Sequence, residues 1–428
     1  MPATTLRFCA LLLALFAVFA CSGNGEDAPS SATRLRLWFH TGQAAEKACI
    51  EAQVQRFHER QDEIRIALTH LPEGTYHQQV QAAALAGELP DLLEIDGPFV
   101  ASYASQGKLR SLKELLDPAL IKDLLPSIVE QGLWQDKLWA VGTFDSGLGI
   151  WARRSILEKA GIRIPKGYAD AWKGPEFAAA LEKLVQQDED GKVLDLGLQQ
   201  RGEWISYAFM PLIYSSGGQV IDPETGSCLR ALAGPRPSLA FTVLQAWVRS
   251  GRVDPNLDEQ AFLSGRVGLC WGGHWQYRRF HEKFGEDLLL LPLPDFGKGA
   301  KTGQGSWCWG ISDKSQHPKA AARFLSFLLE TSEVLAMSQA NGAVPATGSA
   351  IAKSELHRPG APLALFVEGL TGFAVPRPRS PAYPVITSAF QEAFGHIRDG
   401  RPVEIALSRA ASQIDAELKK LAEQAKSK

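Results

Sequence analysis

Eleven tryptophans stand against seven tyrosines and three methionines in this 428-residue chain. Five of them, Trp38, Trp271, Trp275, Trp307 and Trp309, fall at the ends of segments that read as strands. Large rings at strand ends, with Asp, His and Arg close by, supply what a sugar requires. Its apolar C–H faces stack on the rings, and its hydroxyls take hydrogen bonds from fixed donors and acceptors. Core filling is the alternative for every ring, and Trp134, Trp139, Trp172 and Trp247 read as structural. Bond-making chemistry has no comparable signal, since Gly-x-Ser-x-Gly, His-Glu-x-x-His, Gly-x4-Gly-Lys and Cys-x-x-Cys are all missing. A carboxylate pair such as Asp96 with Asp145 keeps a secreted carbohydrate-active enzyme open as a reading of another class.

The elements that must position these residues alternate. Leu35 to Phe39 reads as a strand, Ala44 to Arg60 as a helix and Ile64 to Leu68 as a second strand. A further helix begins near Tyr76, Gly87 ends it, Pro90 prevents its resumption, and Leu92-Leu93-Glu94-Ile95 fits a strand buried on both faces of a parallel sheet. The loop after such a strand, Asp96-Gly97, is where α/β folds place ligand contacts. Trp134 to Gly142 reads as a hairpin turning at Gln135-Asp136-Lys137, and Asp188-Glu-Asp-Gly-Lys192 as a charged turn without the ligand spacing of a calcium loop.

The N-terminus carries Arg7, an apolar run from Phe8 to Ala20 and then Cys21. This is the pattern of a secretory signal, too short to span a bilayer. Val18-Phe-Ala-Cys21 is similar to a bacterial lipobox, which implies a signal peptide at 1–20, lipidation of Cys21 and a flexible tether over 21–32. The net charge of −2, without charge blocks, gives no support to nucleic-acid binding. No cysteine spacing suggests zinc. Cys270 with Cys308 is the more reasonable pair if a disulfide forms, and free buried thiols are the alternative.

In order along the chain, Ala84 to Asp91, Leu92 to Gly97 and Gln106-Gly-Lys-Leu109 are followed by Phe262-Leu-Ser-Gly265-Arg and Cys270-Trp-Gly-Gly-His-Trp275. Next come Gly303 to Ile311, the helix around Phe324 and Phe327, and Asn341-Gly-Ala-Val-Pro345. This succession, over about residues 33 to 425, resembles the extracellular solute-binding proteins of ABC importers, in the sugar-binding branch. Trp151-Ala-Arg153 departs from the aromatic–Asn pair usual there. The resemblance implies an α/β, two-lobe periplasmic-binding-protein fold with interleaved lobes and a central ligand cleft. Lobe 1 would take 33–143 plus 310–348 and lobe 2 144–309 plus 349–428, with hinge crossings near Thr143–Asp145, Ser306–Trp309 and Ala346–Ala350.

It also implies the site. Trp38 and His40 end the first strand, Asp96 the third, and Asp145 sits at the first crossing. Trp204 and Tyr207 fall where an aromatic from lobe 2 stacks, and Gly273 and Trp275 match the glycine turn and its ring. Trp307 and Trp309 alternate with Cys308, on which ground only one of them is expected on a given side of the strand, and Trp307 is the chosen contact. Arg377 or Arg379 would reach the cleft from a proline-rich loop. The expected protein is a monomeric, non-enzymatic lipoprotein outside the cytoplasm, without cofactor or metal, that hands a carbohydrate, an oligosaccharide by preference, to ABC permease subunits. An organophosphate polyol or a polyamine is the alternative ligand.

Overall fold

The computed structural model describes residues 32–200, 202–255, 260–305 and 307–426. The expected signal peptide, Cys21, nearly all of the tether and Ser306 lie outside them. Leu35, Leu37 and Phe39 are buried while Arg34 and Arg36 face out, as the two-residue period of a strand requires. This strand, Thr33–Thr41, pairs in parallel with Ile64–Pro72 on one side and Leu92–Asp96 on the other. Every residue of Leu92–Asp96 is buried. The helix before it, Glu73–Ala86, ends at Gly87 with φ 75°, and Pro90 keeps the following chain extended into the strand.

Trp307–Ile311 and Ala140–Gly142 complete a five-stranded sheet, and both junctions are antiparallel. The sheet is therefore mixed and not parallel throughout. A parallel partner needs a crossover from the far end of the sheet. Trp307–Ile311 instead arrives from the other lobe on the cleft side, so its Trp307 lies opposite Asp96. The whole strand belongs to this sheet, and a lobe boundary at 309/310 cuts through it. The hairpin forms between Leu133–Trp134 and Lys137–Leu138, with Gln135 and Asp136 both at positive φ, the two-residue turn that suits strand twist.

The second lobe is built on a four-stranded sheet. Leu148–Arg153 runs antiparallel between Leu288–Leu291 and Leu269–Gly273, and Leu194–Asp195 pairs parallel at the edge. The helices Trp204–Ser215, Pro235–Arg249, Tyr383–Arg398 and Val403–Lys426 pack beside it in one core containing Trp172, Trp247, Trp271 and Phe209. In the last helix Leu407, Ala411 and Ile414 are buried and Leu418 and Leu421 partly so, the helical stripe expected of an amphipathic element. Between the lobes, Phe144–Asp145 pairs with Val344–Pro345. Cys270 and Cys308 are both free and buried, one in each sheet, so the pairing considered for them does not form.

Gly132 shows how tightly the first lobe is assembled: a Cβ there would lie 1.8 Å from the Ala140 carbonyl oxygen. Gly395, inside the helix Tyr383–Arg398, faces open space. Gly132→Ala is expected to destabilise by about 1–3 kcal/mol or more through overpacking. Gly395→Ala should stabilise by about 0.5–1 kcal/mol through helix propensity. Denaturant unfolding of the two variants beside the native chain checks both signs.

Candidate functional site

The centre of the interlobe seam is a cation. Arg377 follows the strand Ala374–Pro376 of lobe 2 and is buried. It donates through both terminal nitrogens to the Asp96 carboxylate of lobe 1, at 2.8 and 2.6 Å. The same Nη1 reaches Glu203 at 3.0 Å, and the guanidinium lies 5.3 Å from the Tyr207 ring centre. Glu203 in turn accepts from the Tyr383 and Thr387 hydroxyls. Burial pushes the Glu203 carboxyl up, against the pull of Arg377. Burial alone would weaken the Arg377 charge, and Asp96, with Tyr383 and Glu203 behind it, more than restores it. Cleaving this triad leaves an unpaired buried charge, which typically costs about 3–5 kcal/mol.

Aromatic rings line the seam on both sides. On lobe 1 the half-buried Trp307 ring runs parallel to His40 (3.9 Å between centres, 11°) and to His77 (5.4 Å, 7°), and His77 stacks on Phe99. On lobe 2 the half-buried Trp275 meets Trp204 edge-on at 5.8 Å and Tyr207 at 6.2 Å. Gly273 permits this packing, because a Cβ there would sit 2.1 Å from the Trp275 ring. Trp275 also faces a cavity of about 320 Å³ whose polar lining includes Gln43, Arg278, His281, Glu282 and Gln339. That volume is at the lower end of the range for small-molecule sites.

Of the residues expected from the sequence, Asp96, Trp204, Tyr207, Gly273, Trp275, Trp307 and Arg377 come together along this seam. Trp38 is half-buried on the first strand, and its carbonyl accepts from the Tyr76 hydroxyl. His40 is a satisfied interior histidine: Nδ1 meets Glu94 at 2.7 Å and Nε2 lies 3.5 Å from Glu46. Burial would lower its pKa, but Glu94 and Glu46 outweigh that and raise it to about 10. Asp145 is completely buried in the hinge strand, where Gln131 and the Ser146 amide donate to it and burial pushes it up to about 6.

Arg379 stays at the rim with Glu130. Trp307 and Trp309 lie two residues apart and therefore share a face of their strand, contrary to the expectation that only one would. Depth separates them instead, with Trp309 sunk in the lobe 1 core. Reading the sequence missed Glu203, Tyr383, His77 and the cavity lining. Only Glu203, one residue before Trp204 at a helix start, carried a local signal.

Two lobes clasping a polar and aromatic seam beside a small cavity, joined by paired hinge strands, define a protein that holds a small molecule between its halves. A family model described as bacterial extracellular solute-binding protein matches residues 41–334, and the chain belongs to that family. Among individual proteins, it is 22% identical over 169 residues to YcjN of Escherichia coli (strain K12), named as an ABC transporter periplasmic-binding protein. That alignment spans 37% of each chain. It is 23% identical over 366 residues to an uncharacterized lipoprotein in the oleD 5′ region of Streptomyces antibioticus, spanning 81% of this chain and 78% of that one.

Among solved structures, maltose-bound MalE3 of T. maritima superposes with a TM-score of 0.77 at 22% identity, covering 91% of this chain and 100% of that one. The cyclic alpha-maltosyl-1,6-maltose binding protein from Arthrobacter globiformis gives 0.73 at 23%, with the same coverage. The two-lobe fold with a central cleft is thereby shared.

Two expectations follow from the buried charges. Arg377→Met should lower stability by about 3–5 kcal/mol in chemical denaturation, since it strands Asp96 and Glu203. The second concerns His274, which burial holds down at about 4, below its ordinary 6.5. A depressed histidine contributes stability that is present above 6.5 and lost as pH falls toward 4, here on the order of 3 kcal/mol. The stability difference between native chain and His274→Gln should therefore shrink by about that amount from pH 7 to pH 4, read by denaturant unfolding at each pH.

Proposed function

We propose that this chain is the substrate-receiving subunit of an ABC importer, and that its substrate is a carbohydrate, by preference a short oligosaccharide. The observation that carries this reading is the half-buried Trp275 ring, held by Trp204 and Tyr207 and facing a cavity with amide, guanidinium, imidazole and carboxylate groups. Where the half-buried ring borders the cavity it offers apolar surface to the C–H face of a pyranose, and the polar lining matches hydroxyls. The maltose and cyclic maltosyl-maltose named for the structural relatives are ligands of this chemistry. Ligand contacts to both lobes favour the closed arrangement over the open one, and the closed shape is what the permease would receive. Cys21 would anchor the monomeric chain at the outer face of a membrane through lipid, and no bond of the sugar is made or broken.

The charged groups argue for a neutral ligand. An organophosphate polyol would call on Arg377 and Arg379, but Arg377 gives its terminal donors to Asp96, Glu203 and Tyr383, and Arg379 is occupied by Glu130. A polyamine would call on Asp96 and Glu203, both already spent on Arg377. For hydrolysis, Asp145 is too deeply buried in the hinge strand to act as acid or base on a bound sugar.

The melting temperature of the chain against mono- and oligosaccharides, polyol phosphates and polyamines tests this reading. A sugar at about a thousand times its dissociation constant adds on the order of 4 kcal/mol, a readable rise. Trp275→Ala should weaken binding of that sugar at least about tenfold, or about 1.4 kcal/mol, and the sugar should be recovered intact. A rise with a phosphate or polyamine alone would overturn the choice of ligand, and products on long incubation would overturn the transport role.

A further inference from the structure

Behind Trp307 and Trp275 runs a buried chain of polar groups that crosses from one lobe to the other. In lobe 1 the His40 ring, stacked on Trp307, pairs with Glu46 at 3.5 Å. Glu46 accepts at 3.0 Å from the side-chain amide of Asn341, the last residue of the helix Thr331–Asn341 before the hinge strand Val344–Pro345. The carbonyl of Asn341 takes a hydrogen bond from His274 Nδ1 at 2.8 Å, and His274 Nε2 meets the Ser146 hydroxyl at 2.8 Å, just past the other hinge strand. His274 immediately precedes Trp275 and lies edge-on to its ring at 5.2 Å. All five members of the chain are buried.

The hydrogen-bond chemistry fixes which ring nitrogen must carry a proton. A carbonyl only accepts, so Nδ1 carries a proton, while the Ser146 hydroxyl can donate to or accept from Nε2. Burial favours the neutral ring, and in that form Nε2 accepts from the Ser146 hydroxyl. Gly342 contributes the space: it sits at φ 76°, and a Cβ there would come within 2.9 Å of the His274 carbonyl oxygen. His274 is thus pressed on the hinge by its backbone and bonded to both hinge strands' neighbours by its side chain.

We infer that His274 is a positioning residue: by joining Asn341 and Ser146 across the hinge, it sets the angle at which the lobes meet and so the spacing between Trp275 and Trp307. This rests on the reading that a sugar is held between the lobes against Trp275, and it deepens that reading by naming what gauges the gap. Buried polar links of this kind are directional, and a hydrogen bond lost on one side cannot be replaced by sliding, unlike an apolar contact.

Small-angle X-ray scattering of the full chain without sugar, then with maltotetraose as the probe, tests the inference. His274→Ala should raise the radius of gyration of the sugar-free chain. His274→Asn, which keeps an amide donor toward the Asn341 carbonyl, should return most of the way to the native value. A role in stability alone would lower the melting temperature of both variants and leave the radius unchanged, and that outcome would overturn the inference. If His274→Ala does not fold, Ser146→Ala removes a single hydroxyl and must give a rise in the same direction, an unchanged radius again counting against the link. If maltotetraose and the rest of the sugar panel leave the native chain unaltered while His274→Ala still expands it, the choice of ligand fails and the positioning role stands.

Discussion

A single buried guanidinium organises the space between the lobes. Arg377 belongs to lobe 2 and Asp96 to lobe 1, and their two parallel hydrogen bonds fix orientation as well as distance, which one point charge could not. Glu203 adds a second carboxyl partner to the same guanidinium, and the Tyr207, Tyr383 and Phe99 rings surround the group. In such surroundings the partners are worth little beyond their own desolvation, yet each becomes indispensable to the others. What the triad contributes is therefore register between two bodies more than net stability.

The hinge side obeys a similar rule at lower charge. Asp145, expected at the ligand, is instead a fully buried acceptor for Gln131 and the Ser146 amide within the paired hinge strand. His40, likewise expected at the ligand, is held as a cation between Glu94 and Glu46. Both residues are close to the cleft and neither presents its polar atoms to it. Residue type and approximate position placed them beside the cleft, but how completely folding encloses a polar group decides whether it is left for a ligand.

Legibility differed between levels for a physical reason. The strand Leu92–Asp96, the stop at Gly87, the hairpin at Gln135-Asp136 and the stripe of the last helix were readable because each depends on residues within one or two turns of chain. The direction of Trp307–Ile311 was not, because it depends on the chain returning from the second lobe and not on anything inside the strand. His77, Tyr383 and the Gln43 side of the cavity were unreadable for the same reason: their significance lies in neighbours 100 or more residues away or on the other lobe.

The sequence by itself therefore determined which segments are strands and helices, the order of pieces that places the chain in its family, and the aromatic content that points to a sugar. Those properties are local or ordinal, carried by periodicity, turn residues and succession. Only the tertiary structure decided that Arg377 belongs to Asp96, that Asp145 is sealed in the hinge strand and His40 paired with two carboxylates, and that Trp275 is the ring turned toward open space. Such outcomes depend on which distant groups meet and how completely they desolvate one another, and the chain's order does not specify that.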